Sequence, residues 1–124
     1  MSDRGRLLRK INAALDMHGA LLTIDDLTEL AQAHRVRLFH RNNTMCAAEL
    51  ISYPRGLVCN CLLAAGDLAD VLALEPEVEE FARSHGAASM VTHGRRGWAR
   101  IGARTGWRER STEYVKSLPT RGEP

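Results

Sequence analysis

The sequence predicts an α+β domain, and three patterns support this. Two segments with helical spacing of apolar residues open the chain, two strand-like runs joined by an asparagine-containing turn follow, and a nearly continuous apolar run then leads into another helix and strand. Of the 124 residues, 44% are hydrophobic and 26% charged, which is typical of a globular protein. We therefore expect a single domain over residues 1–118 and a flexible tail over residues 119–124.

The first elements are predicted to be a pair of helices. Arg6–Met17 carries one apolar stripe, and Gly19 ends it. Thr23 with Asp26 forms a variant capping box, which predicts the start of a second helix that runs to about His34.

A β-hairpin is predicted next. Val36–His40 is typical of a short strand, and the polar stretch Arg41–Thr44 contains asparagines, which tolerate positive φ in a turn. The second strand runs from Met45 to about Tyr53, where Pro54–Gly56 stops it.

A β-α-β unit follows the hairpin. Leu57–Ala64 is almost entirely apolar, as in a central strand that is covered on both faces. Asp67 opens a helical stretch in which Pro76 is expected to kink or restart the helix, and Gly86 is a natural C-terminal cap. Ala88–His93 then supplies a strand parallel to the first.

The C-terminal part is predicted to be a short helix and a strand. Gly94 begins a turn into the helix, Gly106 ends it, and Trp107–Leu118 is predicted as the final strand. Three residues there favour an extended backbone, namely Thr112, Tyr114 and Val115.

Charge is unevenly distributed although the net charge is only +2. Six carboxylates and no base lie between Gly66 and Glu80, whereas six arginines and one glutamate lie between Gly94 and Arg110. Such patches indicate contacts with a partner. The candidate partner-binding residues are Arg95, Arg96, Trp98, Arg100 and Arg104.

Two interpretations of the arginine-rich segment stay open. Arginines together with Trp98 and Trp107 are typical of nucleic-acid-binding segments, in which basic side chains bind the phosphate backbone and aromatic rings stack on nucleobases. Alternatively, the tryptophans pack as structural plugs, and the arginines are solvated.

The cysteines and histidines predict no metal site. Cys59 and Cys61 lie on one face of a strand, with Cys46 on the neighbouring strand, but no pair of Cys-x-x-Cys knuckles is present. An odd number of cysteines without an export signal indicates free thiols packed in the core. The histidines have no ligand spacing. No stretch approaches 18 apolar residues, and we expect a cytoplasmic protein without a membrane partner.

The element order and several local sequences resemble a known family. Ala64–Leu68, Val78–Gly86, Gly94–Arg100 and Gly106–Trp107 are similar to short bacteriophage and prophage proteins of the GCN5-related N-acetyltransferase (GNAT) fold. The likeness covers roughly Leu21–Leu118 and lacks the first strand of that fold.

This resemblance implies an acetyl-CoA site that the sequence does not match. Working members bind the pyrophosphate on a loop that reads Arg or Gln, two residues, Gly, one residue, and Gly or Ala. The matching stretch Leu62–Asp70 has one glycine and no base, so the loop at Ala65, Gly66 and Asp67 is degenerate. Asp67 as N-cap, with Asp70 three residues later, is expected to place carboxylates where the anion would bind.

The resulting hypothesis is a non-catalytic GNAT-fold phage protein without a cofactor. It would be made in the host cytoplasm and act as a virion or assembly component, through contacts with other phage structural proteins or with its own copies. The alternative is an acetyl-CoA-dependent N-acetyltransferase, and a second alternative is a small nucleic-acid-binding factor. In the enzyme, Glu49 on the hairpin would be the candidate base and Tyr114 the candidate acid; otherwise Glu49 faces solvent and Tyr114 packs on the sheet.

Overall fold

The computed structural model describes residues 3–16, 22–93 and 98–120. The chain divides into two compact units, Met1–His93 and Gly94–Pro124. In the described part of the chain, no helix is long and apolar enough to span a membrane.

Two helices begin the first unit, as the sequence predicts. Helix α1 spans Asp3–Asp16, and helix α2 spans Ile24–Gln32. The capping box of α2 is complete: the Thr23 hydroxyl accepts a hydrogen bond from the Asp26 N–H at 3.1 Å, and the Asp26 carboxylate accepts one from the Thr23 N–H at 2.9 Å. The expected end of the first helix at Met17 and Gly19 lies outside the described residues.

Four strands form one mixed sheet in the order β1-β2-β3-β4. Their bounds are Arg37–Arg41 (β1), Thr44–Tyr53 (β2), Gly56–Ala65 (β3) and Ser89–Thr92 (β4). The first two pairings are antiparallel, and β3 pairs with β4 in parallel, so both the hairpin and the parallel unit are confirmed. Asn42 has φ +50° in the first turn, as expected for asparagine.

A single long helix connects the parallel strands. Helix α3 spans Leu68–Ser84 and continues through Pro76, so the helix does not restart there. Gly86 follows the helix with φ +83°, which confirms its predicted role at the C-terminal cap.

The sheet carries a hydrophobic cluster on each face. Adjacent residues of β2 alternate between the clusters: Ala47 belongs to the α1–α2 side, whereas Cys46 and Ala48 belong to the α3 side. Ile11 and Leu27 bring the first two helices onto one face, and the buried residues of α3 cover the other. Those residues are Leu74, Val78 and Ala82.

The second unit contains a short helix and a 3₁₀ turn. Helix α4 spans Trp98–Gly102, the turn spans Ala103–Thr105, and Gly106 follows with φ +94°. The predicted final strand is wrong, because residues 107–120 contain no regular secondary structure. Residues that favour an extended backbone form a strand only where another strand can pair with them. Tyr114 and Val115 are 91% and 82% exposed, so this segment has no such packing.

Candidate functional site

Strands β3 and β4 separate at Cys61. The parallel pairing runs from Val58, opposite Ser89, to Cys61, opposite Thr92. The Thr92 hydroxyl donates a hydrogen bond to the Cys61 carbonyl at 2.9 Å. Strand β3 continues through residues 62–65, and no described residue pairs with that part of its β4-facing edge. Among the residues that the structure describes, the backbone donors and acceptors on this edge of the strand have no partner strand.

A β-bulge lies where this open edge begins. Ala47 and Ala48 of β2 pair with Leu63 and Cys61, so Leu62 is the extra residue. The side chains change faces there: Cys59 and Cys61 pack with the α3 cluster, whereas Leu63 packs with the α1–α2 cluster. Bulges bend a strand and increase its twist, which turns the end of β3 away from β4.

The open edge leads directly to the N-terminus of α3. The Asp67 carbonyl accepts hydrogen bonds from the Asp70 and Val71 N–H groups, both at 3.0 Å. Among the described residues, nothing accepts a hydrogen bond from the N–H of Leu68 or Ala69. These two amides lie at the positive end of a 17-residue helix.

Thr44, the first residue of β2, fixes this helix end. Its side chain is fully buried, and its Oγ1 accepts a hydrogen bond from the Asp67 N–H at 2.9 Å. Gly66 packs directly on Thr44 with φ +140°, and a Cβ added to Gly66 would lie 2.6 Å from the Thr44 Cα. Only glycine fits this close approach of loop and strand.

The carboxylates at the helix end do not cap it. Asp67 is the N-cap residue, but its side chain makes no cap hydrogen bond and instead lies 3.1 Å from the Lys10 Nζ. The Asp70 carboxylate turns to the hairpin, where it accepts hydrogen bonds from Asn42 Nδ2 at 3.0 Å and Thr44 Oγ1 at 3.3 Å. The Arg41 Nε lies 3.4 Å from it. The expectation that these carboxylates occupy the anion position is therefore wrong.

Three solved acetyltransferase structures share this architecture. An aminoglycoside acetyltransferase from an uncultured soil metagenomic sample matches with TM-score 0.66 and 12% identity, over 91% of this chain and 88% of that one. Glucosamine-6-phosphate N-acetyltransferase from Arabidopsis thaliana matches with TM-score 0.62 and 8% identity, over 90% and 92%. A GCN5-related N-acetyltransferase from Ralstonia eutropha matches with TM-score 0.57 and 17% identity, over 94% and 92%.

The chain has the GNAT fold. No protein-family model matches the sequence, and no curated protein matches it significantly. The hypothesis of a non-catalytic virion or assembly component is wrong: the solved structures that share this fold include acetyltransferases of several kinds.

The two side chains considered for acid–base chemistry differ in their surroundings. Glu49 of the GNAT sheet is half-buried, and its Oε1 accepts a hydrogen bond from Asn60 Nδ2 on β3 at 3.0 Å. It is therefore held by its neighbour instead of extending into solvent. Tyr114 is 91% exposed and lies in the irregular segment, so its expected packing on a sheet is wrong.

The three cysteines are free and belong to the α3-side cluster, as the sequence predicts. Burial raises the pKa of the Cys46 thiol to about 11. A hydrogen bond with Cys59, together with burial, raises the pKa of the Cys61 thiol. Within residues 3–16, 22–93 and 98–120, no group of three His, Cys, Asp or Glu side chains could hold a metal ion. These thiols contribute to packing.

The candidate partner-binding residues lie in the second unit. Trp98 packs edge-to-face on Trp107, with ring centroids 6.0 Å apart, and both contact the Gly102 position. This supports a structural role for the tryptophans. Arg100 and Arg104 are exposed, whereas Arg95 and Arg96 lie outside the described residues. The predicted partner surface therefore stays a prediction.

The residues that organise the N-terminus of α3 have no local signal in the sequence. The sequence predicts only a polar turn at Arg41, Asn42 and Thr44, and it assigns no function to Lys10. The sequence shows a glycine before the N-cap Asp67, but the hydroxyl that accepts the Asp67 N–H belongs to a residue 23 positions earlier in the chain.

Proposed function

We propose that this protein is an acetyl-CoA-dependent N-acetyltransferase. The proposal is carried by the junction of two features: the β4-facing edge of residues 62–65 and the amides of Leu68 and Ala69. Neither has a hydrogen-bond partner in the described part of the chain. An extended chain that carries amide groups can pair with a strand edge, and an anionic group binds at a helix N-terminus.

The described residues fit the chemistry of acetyl-CoA in two respects. Its pantetheine arm contains amide groups, which match the free backbone groups of residues 62–65. Its pyrophosphate matches the amides at the start of α3, where Lys10 and Arg41 offset the charges of Asp67 and Asp70. When bound, the cofactor supplies an acetyl thioester for transfer to an amine.

Glu49 is the general-base candidate. It pairs with Asn60, one residue before the point at which β3 and β4 part. Strand alternation places it on the same face as Ala47, the α1–α2 side, so the acceptor amine would approach from that side. An acceptor amine reacts in its neutral form and must lose a proton. The Glu49 carboxylate, which Asn60 holds in place, can accept that proton.

Calorimetric titration of acetyl-CoA into the purified protein tests the proposal. We expect saturable binding with a dissociation constant below about 1 mM, the upper end of ordinary substrate constants. S-acetylpantetheine, which lacks the pyrophosphate, should bind more weakly. Absence of binding by both compounds would overturn the proposal.

The resemblance to phage and prophage proteins stays a prediction about the origin of the gene. The local sequences around Gly66 and Trp98 support it. Genes of a phage or prophage on both sides of the coding sequence would bear it out, and an ordinary chromosomal neighbourhood would contradict it.

A further inference from the structure

We infer that Thr44 is a positioning residue that keeps the N-terminus of α3 open for an anion. The inference rests on the proposed function, because it identifies what prepares the pyrophosphate end of that site. It starts from a comparison of two helix N-termini in the same chain.

Helices α2 and α3 have the same arrangement of potential capping residues. In α2, the N-cap residue Thr23 and the N3 residue Asp26 form a reciprocal capping box. In α3, Asp67 is the N-cap residue and Asp70 occupies N3, so the Asp70 carboxylate would ordinarily accept the hydrogen bond of the Asp67 N–H. A negative charge would then lie at the helix end.

Thr44 prevents this closure through both functions of its hydroxyl. As an acceptor, Oγ1 receives a hydrogen bond from the Asp67 N–H at 2.9 Å. In a capping box, the Asp70 carboxylate would accept this hydrogen bond. As a donor, it holds the Asp70 carboxylate at 3.3 Å on the hairpin side, together with Asn42 and Arg41. Asp70 is thereby kept away from the amides of Leu68 and Ala69.

The Thr44 and Asp70 side chains are enclosed by their surroundings. The Thr44 side chain is fully buried, the Gly66 backbone packs against it, and the side chain of Asp70 is 16% exposed. Because Thr44 Oγ1 accepts the hydrogen bond of the Asp67 N–H, removal of this hydroxyl leaves that N–H without its acceptor. The Asp70 carboxylate, at the N3 position, is the acceptor that a capping box would supply in its place.

The Thr44→Val variant tests the inference because valine keeps the shape of the side chain and removes both hydrogen bonds. We expect Asp70 to close the capping box, and the affinity for acetyl-CoA to fall by about tenfold, since a carboxylate now opposes the pyrophosphate. The affinity for S-acetylpantetheine, which has no pyrophosphate, should stay within about twofold of wild type.

Two further variants separate positioning from a general structural effect. Thr44→Ser retains the hydroxyl and should bind acetyl-CoA like wild type. Thr44→Val combined with Asp70→Asn removes the opposing charge and should recover most of the lost affinity. Equal weakening of both compounds in Thr44→Val, or no recovery in the double variant, would overturn the inference.

A ligand-free measurement separates this inference from the proposed function. Amide hydrogen exchange should show the Asp67 N–H protected in wild type and in Thr44→Val, but exposed in Thr44→Val combined with Asp70→Ala. If wild type binds neither compound, the proposed function fails and the cofactor role of Thr44 fails with it. If wild type prefers acetyl-CoA and Thr44→Val does so equally, only the inference fails.

Discussion

The Thr92 hydroxyl donates a hydrogen bond to the Cys61 carbonyl at 2.9 Å, at the last paired position of β3 and β4. This contact marks the point beyond which β3 continues toward α3 paired with β2 but not with β4. The candidate site lies along residues 62–65 and the N-terminus of α3.

Leu68→Pro removes one of the two unused amides at the start of α3. Proline is suited to the first helical position, and the preceding residue Asp67 already has the extended backbone that proline requires, with φ −82° and ψ 136°. We expect the helix to persist and acetyl-CoA affinity to fall about tenfold, the value of one hydrogen bond to a charged group. Leu68→Ala, which keeps the amide, is the matched control for calorimetry. Equal affinities of the two variants would exclude this amide from the site.

Glu49→Gln removes the general-base candidate and keeps an acceptor oxygen for Asn60. A panel of primary amines, assayed by release of the free coenzyme A thiol, first identifies an acceptor amine. With that acceptor, the turnover of Glu49→Gln should be about 100-fold or more below that of wild type. Acetyl-CoA affinity should be unchanged. Glu77→Gln, an exposed glutamate on α3, is the control and should retain full turnover. Unaltered turnover in Glu49→Gln would assign proton removal to another group.

Gly66→Ala should destabilise the fold more than Gly86→Ala. Both glycines have positive φ, and nothing lies within 4 Å of a Cβ added to Gly86, whereas at Gly66 the added atom meets the Thr44 backbone. We expect a loss of about 1 kcal/mol for Gly86→Ala and about 3 kcal/mol or more for Gly66→Ala in urea unfolding. Similar losses would show that the contact between Gly66 and Thr44 relaxes at little cost.

Buried Cys46 should make the protein less stable at alkaline pH. Because the folded state raises the pKa of this thiol from 9.0 to about 11, the unfolded chain loses the proton first. The stabilising contribution is complete below pH 9.0 and decreases up to about pH 11, by on the order of 2 kcal/mol. Urea unfolding at several pH values should show a shallower decline in Cys46→Ala than in wild type. Parallel declines would contradict the burial of this thiol.

The sequence predicts elements whose signals are local. Apolar spacing located α1 and α2, the capping box located the start of α2 at Thr23, and the apolar run located β3. The final strand was wrong because strand preference at Thr112, Tyr114 and Val115 says nothing about a partner strand. The function of Asp67 and Asp70 was also misassigned, because an aspartate at N3 ordinarily caps its own helix. A distant threonine overrides that local preference here, and only the folded structure brings it to the helix end.

A titration of acetyl-CoA into ¹⁵N-labelled protein, followed by nuclear magnetic resonance, tests the central claim most directly. We expect saturable chemical-shift changes at the amides of Leu68 and Ala69 and along residues 62–65, with small changes at the β1–β2 turn. Absence of any shift at millimolar acetyl-CoA, or saturable shifts that avoid both β3 and the start of α3, would contradict the claim.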